Sequence, residues 1–576
     1  MKGLTKYLKG YGLESVLGPV FKLCEAALEL IVPLIIALIV DKGILQGDGA
    51  YAVKMALVLV LFGAVGLGFS VTAQFFCAKA SVGFAARVRR ALFVKIQTLS
   101  YSDLDRLGTS TLITRMTADT SKVQNGLNLS LRLLLRSPFI VFGAMIMSFT
   151  VDVPSALVFT VAIPLLSAVV FGILLSTIPL YKRVQKNTDG VLEKTAENLS
   201  GVRVIRAFCK EDEERAEFKR RNSLLTAASK KVGAISALLN PLTYVIINLA
   251  IIYLVYVGAV RVDNGILTTG EVLALYNYMS QILIELIKLA NLIITITRAL
   301  ASASRIKDTL AIAPTEDMGV DTLTCETDEA VSFRNVSLKY DGAGDNSLSE
   351  ISFTAKKGDT VGIIGGTGSG KSSLVNLIPG FYKATKGEVR IFGKEVSEYS
   401  PQAIREAVGV VPQGAVLFSG SIRDNMLWGK SDATDEEIND ALKTAQALDV
   451  VNDKGGLDAK IEQGGRNLSG GQRQRLTIAR ALIRKPKLLI LDDSASALDY
   501  ATDAALRMAI KKIGGETTTF IVSQRASSVM HADLIIVLED GEAVGMGRHE
   551  ELIKDCEVYK EIYYSQFEEK GVKANG

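Results

Sequence analysis

Six apolar stretches occupy the N-terminal half of the chain, at about 17–40, 51–76, 133–149, 156–180, 235–260 and 272–296. A helix crosses a bilayer with roughly 20 such residues, so most of these stretches are long enough to span one. The third is the shortest, and Arg132 and Arg136 precede it, which leaves its start the least defined. The connections alternate: 41–50, 151–155 and 261–270 are short, whereas 77–132 and 181–234 are long. The long ones are basic, with Arg87, Arg89, Arg90, Arg106 and Arg115 in the first and Lys182, Arg183, Arg203, Arg206 and Arg220 in the second. An excess of Lys and Arg marks the cytoplasmic side, so both long connections, both termini and the C-terminal half are expected there. Within them apolar and polar residues recur at near-helical spacing, as in LITRM (112–116) and VRVIRAF (202–208). That pattern predicts spans prolonged into the cytosol and joined by short transverse helices.

The pattern changes after residue 312. Residues 313–330, APTEDMGVDTLTCETDEA, are polar and acidic with no helical stripe and read as a linker. Strand-like runs follow, VSFRNVSLKY (331–340) and ISFTA (351–355), separated by the turn-rich DGAGDNSLS. The expected organisation is therefore a membrane domain over 1–312, a linker over 313–330 and a second domain over 331–576. That domain opens with antiparallel β structure and continues into VGIIGGTGSGKSSL (361–374), where a β-branched run enters a glycine loop and then helix-forming sequence. Gly365, Gly366, Thr367, Gly368, Ser369, Gly370, Lys371 and Ser372 fit G-x-x-x-x-G-K-S, and Ser373 follows. Glycines let backbone N–H groups turn towards a polyphosphate, Lys371 supplies charge and the Ser372 hydroxyl suits Mg²⁺. The start of the next helix adds a positive end. Tyr340, upstream of this loop, is placed either to stack on a purine base or to pack at a strand edge.

Composition changes the picture in three ways. At 576 residues with 48% hydrophobic residues the chain is too long for one ordinary domain and more apolar than a soluble enzyme, which agrees with a membrane part. A net charge of +4 is small for this length and gives no case for nucleic-acid binding. The five cysteines, Cys24, Cys77, Cys209, Cys325 and Cys556, lie far apart without C-x-x-C spacing, so neither a disulfide framework nor a cysteine metal site is expected. The segment 1–11 carries Lys2, Lys6 and Lys9 but is followed by no small-residue cleavage site, so it does not read as a signal peptide.

Charges inside the spans are costly in hydrocarbon and normally face protein or water. Glu25 and Glu29 are four residues apart in the first span, and Glu285 and Lys288 share a face of the sixth. Two readings stand side by side: an acidic lining for a cationic or amphipathic cargo, and pairing within the membrane, including Lys22 with Glu25.

Beyond the glycine loop come VVPQ (410–413), LSGGQRQRLTIARAL (468–482), KLLILDDSASALD (487–499) and TTTFIVSQR (517–525). With these motifs the C-terminal half resembles the ATP-binding cassette superfamily, and the first half resembles the six-span domain of its half-size exporters. The resemblance covers essentially the whole chain, including 108–119 and 197–211, which look like the family's two coupling-helix regions. It implies six transmembrane helices extended into the cytosol, followed by an α/β P-loop nucleotide-binding domain, with ATP and Mg²⁺ as ligands. Asp492 would then end a buried strand and hold Mg²⁺ with Ser372 and Gln413, and Gln413 would report occupancy to the spans. Leu468, Ser469, Gly470, Gly471 and Gln472 would form a second phosphate cradle facing ATP on a partner subunit, with Asp499 in the loop joining the two sites. The implied surroundings are a cell membrane, a second half-transporter, and a small hydrophobic or amphipathic cargo.

Two positions depart from the family pattern. The residue after the Walker B aspartate is usually a glutamate acting as general base, and here it is Asp493, one methylene shorter. The expected switch histidine is Gln524, which donates a hydrogen bond but does not become cationic near neutral pH. The only histidines, His531 and His549, lie beyond that segment. Tight binding and slow hydrolysis are expected, and the mixture resembles one half of the heterodimeric bacterial exporters, in which one composite site hydrolyses and the other mainly holds ATP. The alternatives are a homodimeric lipid or peptide exporter and an ATP-sensing regulatory subunit.

Overall fold

The computed structural model describes residues 3–313, 319, 321, 327–513 and 517–567. Most of the predicted linker, and Cys325 within it, lies outside the described residues. The chain forms two compact units, one of Met1–Gln97 with Ser110–Ile312, the other of Thr98–Thr109 with Ala313–Gly576.

Among the described residues six helical segments are long and apolar enough to cross a membrane: Gly12–Ile44, Gly49–Gln97, Thr109–Val151, Val153–Ser200, Glu211–Asp263 and Thr269–Ala311. Several exceed 40 residues, or about 60 Å of helix, roughly twice the hydrocarbon thickness, so they continue well beyond it. Close crossings rest on small residues: a Cβ on Gly126 would lie 2.2 Å from the Cβ of Ala299. Small residues of this kind let spans approach where lipid supplies no hydrophobic drive.

Ion pairs tie the spans together. Lys22 bonds Glu25 at 2.5 Å and donates to Ser70 Oγ at 3.1 Å. Arg136 bridges two other spans, reaching Glu29 at 2.6 Å and Glu285 at 2.8 Å, while Ser137 Oγ and Lys288 also donate to Glu285. All three acidic residues singled out in the sequence therefore have basic partners. Towards the opposite helix ends Arg261 bonds Asp152 at 2.6 Å, and the Gly270 N–H donates to Asp41 at 2.7 Å.

The described residues of the second unit form three sheets. Strands β1 (Glu329–Leu338), β2 (Leu348–Lys356), β4 (Lys386–Ile391) and β5 (Lys394–Glu395) form an antiparallel sheet in the order β2-β1-β4-β5. Strands β3 (Thr360–Gly365), β6 (Val408–Val411), β9 (Leu488–Asp492), β10 (Thr518–Val522), β11 (Leu534–Glu539) and β12 (Glu542–Gly547) form the larger sheet in the order β12-β11-β3-β10-β9-β6. All but β12 are parallel. The short pair β7 (Gly420–Ser421) and β8 (Lys460–Ile461) stands apart. Runs such as LLIL and FIV are buried on both faces, which is why they show no period-two alternation.

The short helix after the second span is Tyr101–Leu107, capped by the Ser100 hydroxyl and ended by Gly108 at φ +73°. This corrects the expectation that placed it in 108–119, which instead continues as helix towards the third span. The second one, Val202–Ala207, falls inside 197–211 as expected. Within the second unit Tyr101 stacks on Phe381 at 4.3 Å, and Tyr382 OH donates to Asp105 at 2.5 Å.

Candidate functional site

Strand order explains how residues more than 150 positions apart meet. Neighbouring strands β3, β10, β9 and β6 run parallel, so their carboxyl ends lie side by side, where ligands of open α/β sheets bind. Those ends carry the glycine loop after Gly365, Gln524 after Val522, Asp492 with Asp493, and Gln413 after Val411. Together with Thr367, Gly368, Gly370, Ser372 and Ser373 they line a cavity of about 460 Å³.

The loop conformation requires its glycines. Gly368 and Gly370 have φ of +87° and +95°, and a Cβ on Gly370 would sit 2.6 Å from the Ser347 carbonyl oxygen. A Cβ on Gly365 would lie 2.1 Å from Leu538 O, whereas one on Gly366 or Gly368 would meet nothing within 4 Å. The loop therefore has its base against β11 and open space above it. Lys371 Nζ folds back over it, donating to Gly365 O at 3.0 Å and Gly366 O at 2.5 Å, with Ser369 Oγ at 3.5 Å. Burial lowers the Lys371 pKa, while Asp493 and Asp492 oppose that shift.

Ser372 Oγ donates to Asp492 Oδ1 at 2.9 Å, and Gln413 Nε2 donates to Asp493 Oδ2 at 3.3 Å. Asp493 has φ +45°, a conformation that Asp tolerates better than most residues. Its N–H donates to Val522 O, and Ser496 Oγ donates to its carbonyl. Burial pushes both carboxyls above the ordinary value of 3.8, and at Asp492 the neighbouring Asp493 charge adds to this. Two adjacent carboxylates, one sharing a hydrogen bond with a hydroxyl, are hard oxygen donors whose repulsion a divalent cation relieves. The residues present fit Mg²⁺, which Ser372 and Asp492 would hold with Gln413 beside it.

Because those raised values make the two carboxyls bind more protons in the folded domain than in the unfolded chain just above pH 3.8, their own contribution to stability without nucleotide falls as pH rises through that window, while carboxyls held low by hydrogen bonds, such as Asp424 and Glu437, contribute in the opposite sense. Thermal melts of the full chain at stepped pH check this. Asp493→Asn should gain stability relative to wild type as pH rises through that window, and Mg²⁺ with ATP should remove the gain; a difference between the two proteins that does not change with pH would refute the assignment.

Tyr340 OH donates to Ser373 Oγ at 3.0 Å, and its ring meets Tyr382 edge-on at 5.0 Å, beside the main cavity. The signature residues are elsewhere and do not line the cavity. Ser469 and Gln472 form a reciprocal cap on the helix Gly470–Leu482, Leu468 is buried, and a Cβ on Gly471 would lie 2.9 Å from Ala497 O. Asp499 caps the next helix through Thr502 at 2.8 Å.

Several lining residues were not singled out in the sequence: Asn346, Ser347, Asp540 and Gly541. The Asp540-Gly541 pair does read as a turn signal, but its approach to Ser347 across two sheets has no local signature. Arg525 was also missed. Its guanidinium donates to Leu498 O at 3.1 Å and lies 4.8 Å over the Tyr500 ring.

Comparison with known proteins agrees with this architecture. Residues 15–286 match the ABC transporter transmembrane region and residues 348–496 match the ABC transporter domain. The chain is 36% identical to the ABC transporter ATP-binding protein YfiB of Bacillus subtilis (strain 168) over 99% of both chains. It is 33% identical to the ATP-dependent lipid A-core flippase of Desulfotalea psychrophila, over 83% of this chain and 84% of that one. The putative multidrug export ATP-binding/permease protein YgaD of Bacillus subtilis (strain 168) is 30% identical over 98% of this chain and 99% of its own. A solved bacterial Atm1-family ABC exporter with ATP bound shares the fold, with a TM-score of 0.78 at 24% identity over 99% of each chain. Matched end to end by relatives of its own length, with membrane and nucleotide-binding halves fused in one polypeptide, this chain belongs to the ABC transporter family.

Proposed function

We propose that this chain is one half of an ATP-driven exporter of hydrophobic or amphipathic compounds, paired with a different half-transporter, and that its own site binds ATP tightly but hydrolyses it slowly. The observation that carries this reading is Asp493 and Gln524 lining one cavity with Lys371 and Ser372, where a glutamate and a histidine are the family pattern. Loop N–H groups and Lys371 bind phosphate oxygens, and Tyr340 is placed beside Ser373 for the base. Bound Mg²⁺ would neutralise phosphate charge. Ser372 and Asp492 hold that position, and Gln413 links it to Asp493. Ser469 to Gln472 complete the partner's site, where hydrolysis runs at full rate.

ATP that favours the closed pair of nucleotide domains shifts the spans by its differential affinity, so a slow site still acts through binding. The names of the flippase and multidrug-export relatives support an amphipathic cargo. The basic connections support a cell-membrane orientation with both termini and the nucleotide domain in the cytoplasm.

The test is the ATP turnover and assembled mass of the chain purified alone in lipid nanodiscs, then co-purified with its partner. The expected result is little turnover alone, and turnover with ATP-dependent cargo accumulation in inverted vesicles once paired. Sustained turnover from a homodimer would overturn both the slow site and the unlike partner.

A further inference from the structure

The segment between β10 and the short helix Ala526–Val529 carries Gln524, and it is held from a distant part of the chain. Gln566, at the end of the helix Glu557–Gln566, donates from Nε2 to the Gln524 carbonyl oxygen at 2.7 Å. Its Oε1 accepts from the Ala526 N–H at 2.8 Å. One side-chain amide thus pairs with the peptide groups on both sides of Arg525, as a neighbouring strand would. It satisfies one donor and one acceptor in a stretch where β10 has just ended. Arg525 supplies a second anchor through the carbonyls of Leu498 and Ser496.

The helix bearing Gln566 is itself fixed. Tyr559 is fully buried and its hydroxyl lies 2.8 Å from His549 Nδ1. Val558, Ile562 and Tyr563 pack against the core cluster that contains Val529 and Ile535. Gln566 therefore projects from a rigid support, while Gln524 faces the phosphate cavity.

We propose that Gln566 is a positioning residue that sets the backbone of Gln524, so that the Gln524 amide meets the terminal phosphate of ATP. The last described helix is then part of the device that tells ATP from ADP. This rests on the reading of Gln524 as the phosphate-facing switch. Gln566 touches no nucleotide itself and acts through the two backbone bonds.

The test uses the full-length chain in lipid nanodiscs and displacement of a trinitrophenyl-ADP probe by ATP and by ADP. Gln524→Ala is expected to lower the preference for ATP over ADP. Gln566→Ala should lower it by about threefold to tenfold, the range for loss of one or two neutral hydrogen bonds. Gln566→Glu should lower it as well, because a carboxylate still accepts from Ala526 but no longer donates to Gln524. ADP affinity should stay unchanged, and the Gln524→Ala/Gln566→Ala double variant should match Gln524→Ala alone. An unchanged ratio in both Gln566 variants, additive losses in the double variant, or an equal loss of ADP binding would overturn the positioning role. If Gln524→Ala leaves the ratio unchanged, the switch assignment fails and the proposal falls with it.

Discussion

Replacing Asp493 with glutamate and Gln524 with histidine in the same chain is expected to raise ATP turnover at this chain's own site by about 10- to 100-fold, read in the assembled transporter with the partner's general base removed. A placed general base contributes ~10²- to 10⁴-fold, or roughly 3 to 5 kcal/mol of barrier. Part of that gain is offset. Asp493 sits at φ +45°, and glutamate in that region costs about 1 to 2 kcal/mol because it lacks aspartate's short polar side chain. The net effect remains large and positive. The apparent KM for ATP should change little, since Lys371, Ser372 and Asp492 keep their contacts. Each single substitution should give less than the pair, because Gln413 bonds Asp493 and both departures face one cavity. Steady-state turnover in nanodiscs decides the matter, and no gain from the double variant would mean that the native pair is already competent.

Arg136→Met is expected to destabilise the membrane unit by about 3 kcal/mol. Arg136 lies between Glu29 and Glu285, and the Glu285 side chain is only 3% exposed. Removing one partner of a buried pair strands the other charge, which typically costs about 3 to 5 kcal/mol. The lower figure applies because Ser137 and Lys288 still donate to Glu285. Arg136→Met combined with Glu285→Gln should recover most of the loss, since it removes both charges and leaves an amide that still bonds Ser137. Unfolding midpoints of the full chain in nanodiscs measure both. A double variant as unstable as the single would show that the pair itself, and not the stranded charge, carries the stability.

How much of this was legible in the sequence differs from element to element. The six spans, the prolonged helices and the glycine loop follow from runs, periods and residue types that act over a few neighbours. A stretch of apolar residues cannot leave the bilayer cheaply, and G-x-x-x-x-G-K-S demands glycine where φ is positive. The charged pairs Lys22 with Glu25 and Glu285 with Lys288 were readable for the same reason, being one helical turn apart. The short helix after the second span was misplaced because LITRM has helical periodicity wherever it lies; only the break at Gly108 and the Ser100 cap put the turn before it.

What the sequence determined by itself was the identity of the elements and the chemistry each carries, because local spacing dictates which face is apolar and which backbone must bend. What only the tertiary structure decided was which elements meet. The order β3-β10-β9-β6 brings Gly365, Gln524, Asp492 and Gln413 to adjacent strand ends, Arg136 reaches two other spans, and Gln566 reaches back to Gln524. Such pairings depend on how the whole core closes, since a polar group takes whatever partner burial leaves within a few ångströms, and no short-range pattern records that choice.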